Sequence, residues 1–345
     1  MGSLALAGLA LTWGYGWVIT KYGFDYIEPF TFAALRSLLS VAFLFVLLLV
    51  LRRPLKLVAP GLTLVIGLLQ TTGFVVFTFW ALEHSGAGKT SVLAYTMPFW
   101  LLLLAWLILG ERLRGLQWPA VGLAFAGLVL VIDPRQLSAG LPSVMAAAGG
   151  LCWAGSAVAV KILHRRYTVD VLALTAWQML LGTPALLLVA AFTWTGMPQW
   201  NSQLVAVFAF NVLIANGLCW VLWGFVLRTL SAGVAGIGTL AVPVVGVVAA
   251  WIHLGERPQP AEAAGMTLIV AALGLLALME ILRGRRERRL TRELTEAGSW
   301  VATSRASGTL EPCSEPLRST SGTPSSLTAT RVNVTSDAST SSRRS

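Results

Sequence analysis

Long apolar stretches, separated by short clusters of charged and turn-forming residues, recur along most of this chain. A helix needs roughly 20 apolar residues to cross the hydrocarbon core of a bilayer. The separators leave about ten such stretches, at approximately 3–20, 29–51, 60–82, 88–109, 116–132, 141–163, 170–194, 203–227, 232–253 and 260–282. The connections are short, so consecutive helices are expected to run antiparallel. The fifth stretch is the shortest and is expected at the periphery. The first lacks the basic segment that precedes a signal-peptide core and is read as a mature helix. The pattern predicts an all-α integral membrane protein of ten transmembrane helices.

Composition agrees. Hydrophobic residues make up 56% of the 345 positions and charged residues 12%, whereas a soluble protein carries about 25% charged residues. That excludes an assembly of soluble domains. The formal net charge of +10 then reports topology. With the N-terminus inside, the inner loops hold Arg52, Arg53, Lys56, Arg112, Arg114, Lys161, Arg165, Arg166, Arg228 and six arginines between Arg283 and Arg292. The outer loops hold only Lys21, Lys89, Arg135 and Arg257. This bias predicts a multi-pass protein of the cell (inner or plasma) membrane with both termini cytoplasmic. It gives no reason to expect nucleic acid as a partner. Residues 284–345 begin basic and continue rich in Ser and Thr. They are expected to form a disordered cytoplasmic tail whose basic start contacts anionic lipid headgroups.

The chain also repeats itself. Ala87-Gly88, Pro98 and Gly110-Glu111-Arg112 recur as Ala232-Gly233, Pro243 and Gly255-Glu256-Arg257, all displaced by 145 residues. Leu11-Thr12-Trp13-Gly14 matches Leu151-Cys152-Trp153-Ala154, and Lys21 matches Lys161 at the related displacement of 140. The halves, 4–133 and 141–282, carry five helices each. An odd number sends the second half in from the opposite face, which makes an inverted repeat suited to alternating access.

These residues resemble the drug/metabolite transporter superfamily, specifically its EamA-type permeases. The resemblance rests on Trp13-Gly14 with Lys21, on Arg36, on the Ala87, Pro98 and Gly110-Glu111-Arg112 series, and on the second-half copies. It covers roughly residues 4–280. It implies a ten-helix inner-membrane permease for small metabolites, often an efflux carrier of amino acids or related compounds. It also implies a central cavity lined by helices one to four and six to nine. Arg36 has no second-half counterpart, although Gln178 sits nearby, and the tail has no place in the resemblance.

Several residues are candidates for the cavity. Arg36 lies within the second span, where a charge is costly unless it faces protein or water. It would attract an anionic group, or else bond helix carbonyls as a structural arginine. Trp13 and Trp153 sit at mid-span rather than at the interface, where tryptophan usually marks a helix end. They would stack on a substrate or pack in the core. Trp100 is a similar, lesser candidate. Gln70, Thr71, Tyr95, Gln178, Asn211 and Asn216 are uncharged polar residues deep in the spans, suited to substrate contact or to bonds between helices. Pro98 and Pro243 each remove a backbone hydrogen bond and are expected to kink the fourth and ninth helices for gating. Glu111-Arg112 and Glu256-Arg257 are expected to form loop ion pairs at the ends of those helices.

Cys152, Cys219 and Cys313 are scattered, as are His84, His164 and His253. No metal site and no cofactor are expected. An enzyme is not expected either, because no paired carboxylates or nucleophile–base pair stand in the spans. A structural or sensory membrane protein is the alternative to a carrier. Glu83, Asp133, Asp170, Glu262 and Glu280 all lie near span ends. That speaks against proton-coupled export of cations through a buried acid, and for a facilitator or exchanger of a neutral, zwitterionic or anionic metabolite. The expected partners are the small-molecule substrate and the bilayer, and a homodimer is allowed. Truncation at about residue 295 is expected to leave transport intact when membrane insertion is verified in parallel, because the remaining arginines still set orientation.

Overall fold

A computed structural model of the chain describes residues 2–110, 117–132, 137–219 and 241–275, with single positions besides these out to Arg285. The helical unit runs from Met1 to Arg289, and residues 290–345 form a second unit. The tail, most of the arginine cluster that opens it, Glu111 and Arg112 lie outside the described residues.

Every regular element among the described residues is helical. Helix α1 is Gly2–Gly23 and α2 is Pro29–Val50. Helix α3, Pro60–Gly67, passes through a π-helical segment, Leu68–Gly73, into α4, Phe74–His84. Helix α5 is Ala87–Ala94, α6 Met97–Leu109, α7 Gln117–Ile132, α8 Leu137–Arg166 and α9 Val171–Phe192. Helix α10, Ser202–Ala209, continues into a second π segment, Phe210–Leu218. Helix α11 is Ala241–Leu254, and α12 is Pro260–Met279. Among the described residues, six rods are long and apolar enough to cross a membrane: Pro29–Val50, Pro60–His84, Ala87–Leu109, Gly140–Arg166, Val171–Phe192 and Pro260–Met279.

The helix starts follow from local chemistry. Glu28 accepts hydrogen bonds from the amides of Phe30 and Thr31, and Pro29 occupies the first turn, where its missing N–H costs nothing. Asp170 caps α9 through the amides of Leu172 and Ala173, and Asn201 caps α10 through that of Leu204. Gly110 ends α6 at φ 66° and Gly255 follows α11 at φ 64°. This left-handed conformation is why each Gly-Glu-Arg motif begins with glycine.

The interruption of the fourth span falls just before Pro98, where a central kink was expected. The rod Ala87–Leu109 breaks at Tyr95 and Thr96, and Pro98 lies in the first turn of the new helix α6. The Thr96 hydroxyl donates to the Leu93 carbonyl at 2.6 Å, close to the break. Pro243 is buried in α11, and the residues just before Ala241 lie outside the described ones.

Helix α1 packs along α11, α8 along α4, α5 and α6, and α2 along α9. Lipid is as apolar as leucine, so close backbone approach and van der Waals contact hold such helices together. A Cβ on Gly67 would stand 2.3 Å from the Gln178 carbonyl oxygen, and one on Gly182 would stand 2.5 Å from that of Gly67. Gly127 and Gly265 form the same kind of crossing, each 2.6 Å from the other's carbonyl oxygen by that measure. Phe32, Phe79, Leu186, Leu204 and Phe208 fill a core beside α2 and α9. Trp118, Trp194, Trp200 and Trp251 are each about half exposed, as membrane-interface residues are.

Gly67→Ala is expected to destabilise the protein by about 1–3 kcal/mol, because the added methyl meets backbone that cannot move aside. Gly61→Ala, where a Cβ meets nothing within 4 Å, is the control. Thermal unfolding in detergent measures both.

Candidate functional site

Two helices offer the cavity one stripe each. Trp13, Gly16, Trp17 and Thr20 recur on α1 at the spacing of a single helical face, and Val171, Leu174, Thr175 and Gln178 do so on α9. Together with Arg36, Gln70, Phe74, Phe79, Tyr95, Trp153, Val160, His164, Asn211, Ala215 and Asn216 they enclose about 390 Å³. Trp13, Arg36, Gln70, Tyr95, Trp153, Gln178, Asn211 and Asn216 were all candidates from the sequence, and all face this one space.

Arg36 is the cavity's cation. Its Nη1 reaches Asn211 Oδ1 at 3.5 Å, and its guanidinium carbon lies 4.9 Å from the centre of the Phe79 ring. Its Nε is buried without a hydrogen-bond partner. None of the ion pairs among the described residues involves Arg36. Asn211 is itself held in place, accepting from the Thr20 hydroxyl at 3.2 Å and donating to the Val207 carbonyl at 3.0 Å.

The aromatic walls are fixed as well. Trp13 Nε1 donates to the Ala215 carbonyl at 3.2 Å, which ties α1 to the second π segment. Trp153 lies 5.3 Å from Phe74 and 5.5 Å, edge-on, from Tyr95. The Ser156 hydroxyl bonds Gln70 Oε1, and Asn216 Nδ2 donates to Ser40 Oγ at 2.9 Å. The site is an aromatic box with one cation and several neutral amides. Among the described residues, no three His, Cys, Asp or Glu come together as metal ligands.

Two candidates lie elsewhere. Thr71 is buried against Gly182 of α9, because successive helix positions point in different directions and Gln70 takes the cavity side. Trp100 lies beyond the break at Thr96. Its Nε1 donates to Thr96 Oγ1 at 3.1 Å, and its ring meets Phe125 of α7 edge-on at 5.1 Å. Trp17, Thr20, Thr175 and His164 were not anticipated. For Trp17 and Thr20 the signal was their spacing of four and seven residues from Trp13.

Glu256 also departs from expectation. Its partner is Lys21 at 3.1 Å in place of the neighbouring Arg257, and its carboxylate accepts from the amides of Ala87 and Gly88. It borders a second hollow of about 520 Å³, also lined by Trp80, His84, Lys89, Arg257 and Glu262.

Apolar membrane-length helices around a polar, aromatic cavity define a carrier of small molecules. The family model described as the EamA-like transporter family matches residues 1–133 and 141–278, and the chain belongs to that family, within the drug/metabolite transporter superfamily. It is a multi-pass membrane transporter and not an enzyme. An uncharacterized transporter of Bacillus subtilis, YoaV, is 28% identical over 74% of this chain and 89% of its own length. A probable amino-acid metabolite efflux pump of Salmonella typhimurium is 28% identical over 79% of this chain and 93% of its own. A probable terminal-alkyne amino-acid exporter of Streptantibioticus cattleyicolor is 28% identical over 61% of this chain and 69% of its own. One crystal structure shares the fold with a TM-score of 0.57 at 21% identity, covering 81% of this chain and 97% of the other.

Trp153→Ala is expected to lower transport by about tenfold through lost stacking surface, while Trp100→Phe keeps it within about twofold. Uptake into vesicles, normalised to protein content, checks both.

Proposed function

We propose that this transporter exports a small metabolite bearing a carboxylate, an amino acid or a related neutral, zwitterionic or anionic compound, by alternating access. The observation that carries the reading is Arg36, a cation facing the cavity with no acidic partner among the described residues. A carboxylate arriving there would replace one neutral contact with charge-assisted hydrogen bonds. The aromatic walls would take the rest of the molecule, and the volume falls within the range of about 300–1,000 Å³ typical of small-molecule sites. The relatives named as an amino-acid metabolite efflux pump and an amino-acid exporter support both substrate class and direction.

The architecture in this reading is ten helices in two inverted halves, 4–133 and 141–282, in the plasma membrane with both termini cytoplasmic. Packing supports it, since α1 against α11 is answered by α8 against α5 and α6. So does the backbone. Residues 68–73, displaced by 145, fall inside the second π segment, Phe210–Leu218, and the left-handed Gly110 and Gly255 stand at the same displacement.

Arg36→Gln is expected to cut carboxylate uptake by roughly 10- to 100-fold, the equivalent of one charge-assisted contact worth about 1.5–3 kcal/mol, with normal expression. Asn211→Asp gives the guanidinium a counter-ion, at the cost of the Nδ2 donor to the Val207 carbonyl, and is expected to lower uptake similarly. Counterflow of a radiolabelled amino-acid panel in proteoliposomes measures both. Uptake unchanged in Arg36→Gln at normal expression returns Arg36 to a structural role.

A further inference from the structure

One carboxylate joins three distant segments at the end of the bundle marked by Lys21. The left-handed turn at Gly255 ends α11 and brings Glu256 across to α5. There Oε1 accepts from the Ala87 amide at 2.8 Å and Oε2 from the Gly88 amide at 3.2 Å. Helix α5 has no side-chain cap of its own, since its N-cap residue is Gly86. A Cβ on Gly86 would stand 2.6 Å from Glu256 Oε2, so glycine makes room for the carboxylate. The same Oε1 accepts from Lys21 Nζ in the last turn of α1. Lys21 also donates to the Ser85 carbonyl at the junction of α4 and α5. Beneath this cluster Val18, Leu82, Ala87 and Ala250 are closely packed.

The position matters as much as the bonds. Thr20, one residue before Lys21, lines the cavity, and Glu256 lines the second hollow. At the far end of the same cavity His164 and Val171 are exposed. Among the described residues the cavity lining is thus exposed at His164 and Val171 and buried at Thr20, beside Lys21.

We propose that Glu256 is the latch of a gate at the Lys21 end. Its carboxylate holds α1, α5 and α11 together while the cavity is reached from the His164 end, and it leaves Lys21 and the α5 amides when substrate passes. The partners suit a reversible contact. The Lys21 and Glu256 side chains are 28% and 21% exposed, so water can solvate both charges once they part. The inference rests on the alternating-access reading, but its test needs no substrate. Failure of the Arg36 prediction therefore leaves it standing.

The test places a reporter, Gly16→Cys, in a chain whose Cys152, Cys219 and Cys313 are replaced by serine. Gly16 lines the cavity, and an added Cβ meets Phe210 at an ordinary 3.7 Å. The protein is reconstituted in oriented vesicles, and a membrane-impermeant maleimide is added to one side at a time. Slow labelling is expected from the Lys21 side, with a rise of about tenfold in Glu256→Gln and again in Lys21→Gln, as charge-assisted contacts are lost. Labelling from the His164 side reports that each variant is folded, and either single variant carries the test if the other fails to assemble. Exchanging the two charges, Lys21→Glu with Glu256→Lys, is expected to leave the gate open, because two amide donors then face an ammonium group. Unchanged labelling from the Lys21 side in a folded single variant overturns the latch, and so does closure restored by the charge exchange.

Discussion

Inside a bilayer no water is at hand for a backbone amide or carbonyl, so each departure from α-helical bonding needs an answer from the protein itself. Three departures here lie along or beside the cavity: the two π segments and the break at Tyr95 and Thr96. Side chains meet the backbone at two of them, and Thr72 of the first π segment bonds across to α9. Thr72 donates to the Gly182 carbonyl at 2.9 Å, Thr96 to that of Leu93 and Trp13 to that of Ala215. Gln70, Tyr95, Asn211 and Asn216 ride on these irregular stretches. Polar side chains and irregular backbone thus occupy the same depth, and the space they border is where a substrate finds hydrogen bonds.

The two ends of the bundle are held by unlike means. At one end Glu256 gathers segments from three parts of the chain with short contacts. At the other, Arg53 reaches Asp170 at 3.4 Å across an exposed pair. Exposed pairs of that kind contribute little, about 0–1 kcal/mol. The glycine crossings at Gly67–Gly182 and Gly127–Gly265 are fixed points on which the packing depends.

How much was legible in the sequence depended on whether the question was one of length, depth or direction. Apolar length located the membrane rods, and depth singled out Arg36, Trp13 and Trp153, which do share a cavity. Direction was harder. A helix that is apolar all round shows no polar stripe to mark its inner face, so Thr71 beside Gln70 and Trp100 beyond the break could not be told from true cavity residues. The π segments add to this by shifting the angular phase of everything after them. Glu256 with Lys21 was illegible for another reason. The two stand 235 positions apart, and only packing of α1 along α11 brings them together, whereas Arg257 was the neighbour in the chain.

The glycine crossings also bear on how such a protein can change over evolutionary time. Val46, Leu49, Val50, Leu107 and Ile108 stand well exposed on the outer surface, where lipid asks only for an apolar side chain. Those positions are free to drift among leucine, valine and isoleucine. Gly67, Gly127, Gly182 and Gly265 are not, since any side chain meets a neighbouring backbone. Divergence in such a family should therefore accumulate first on its outer coat, and a carrier that shares only 28% of its residues with a relative can still keep the same inner frame.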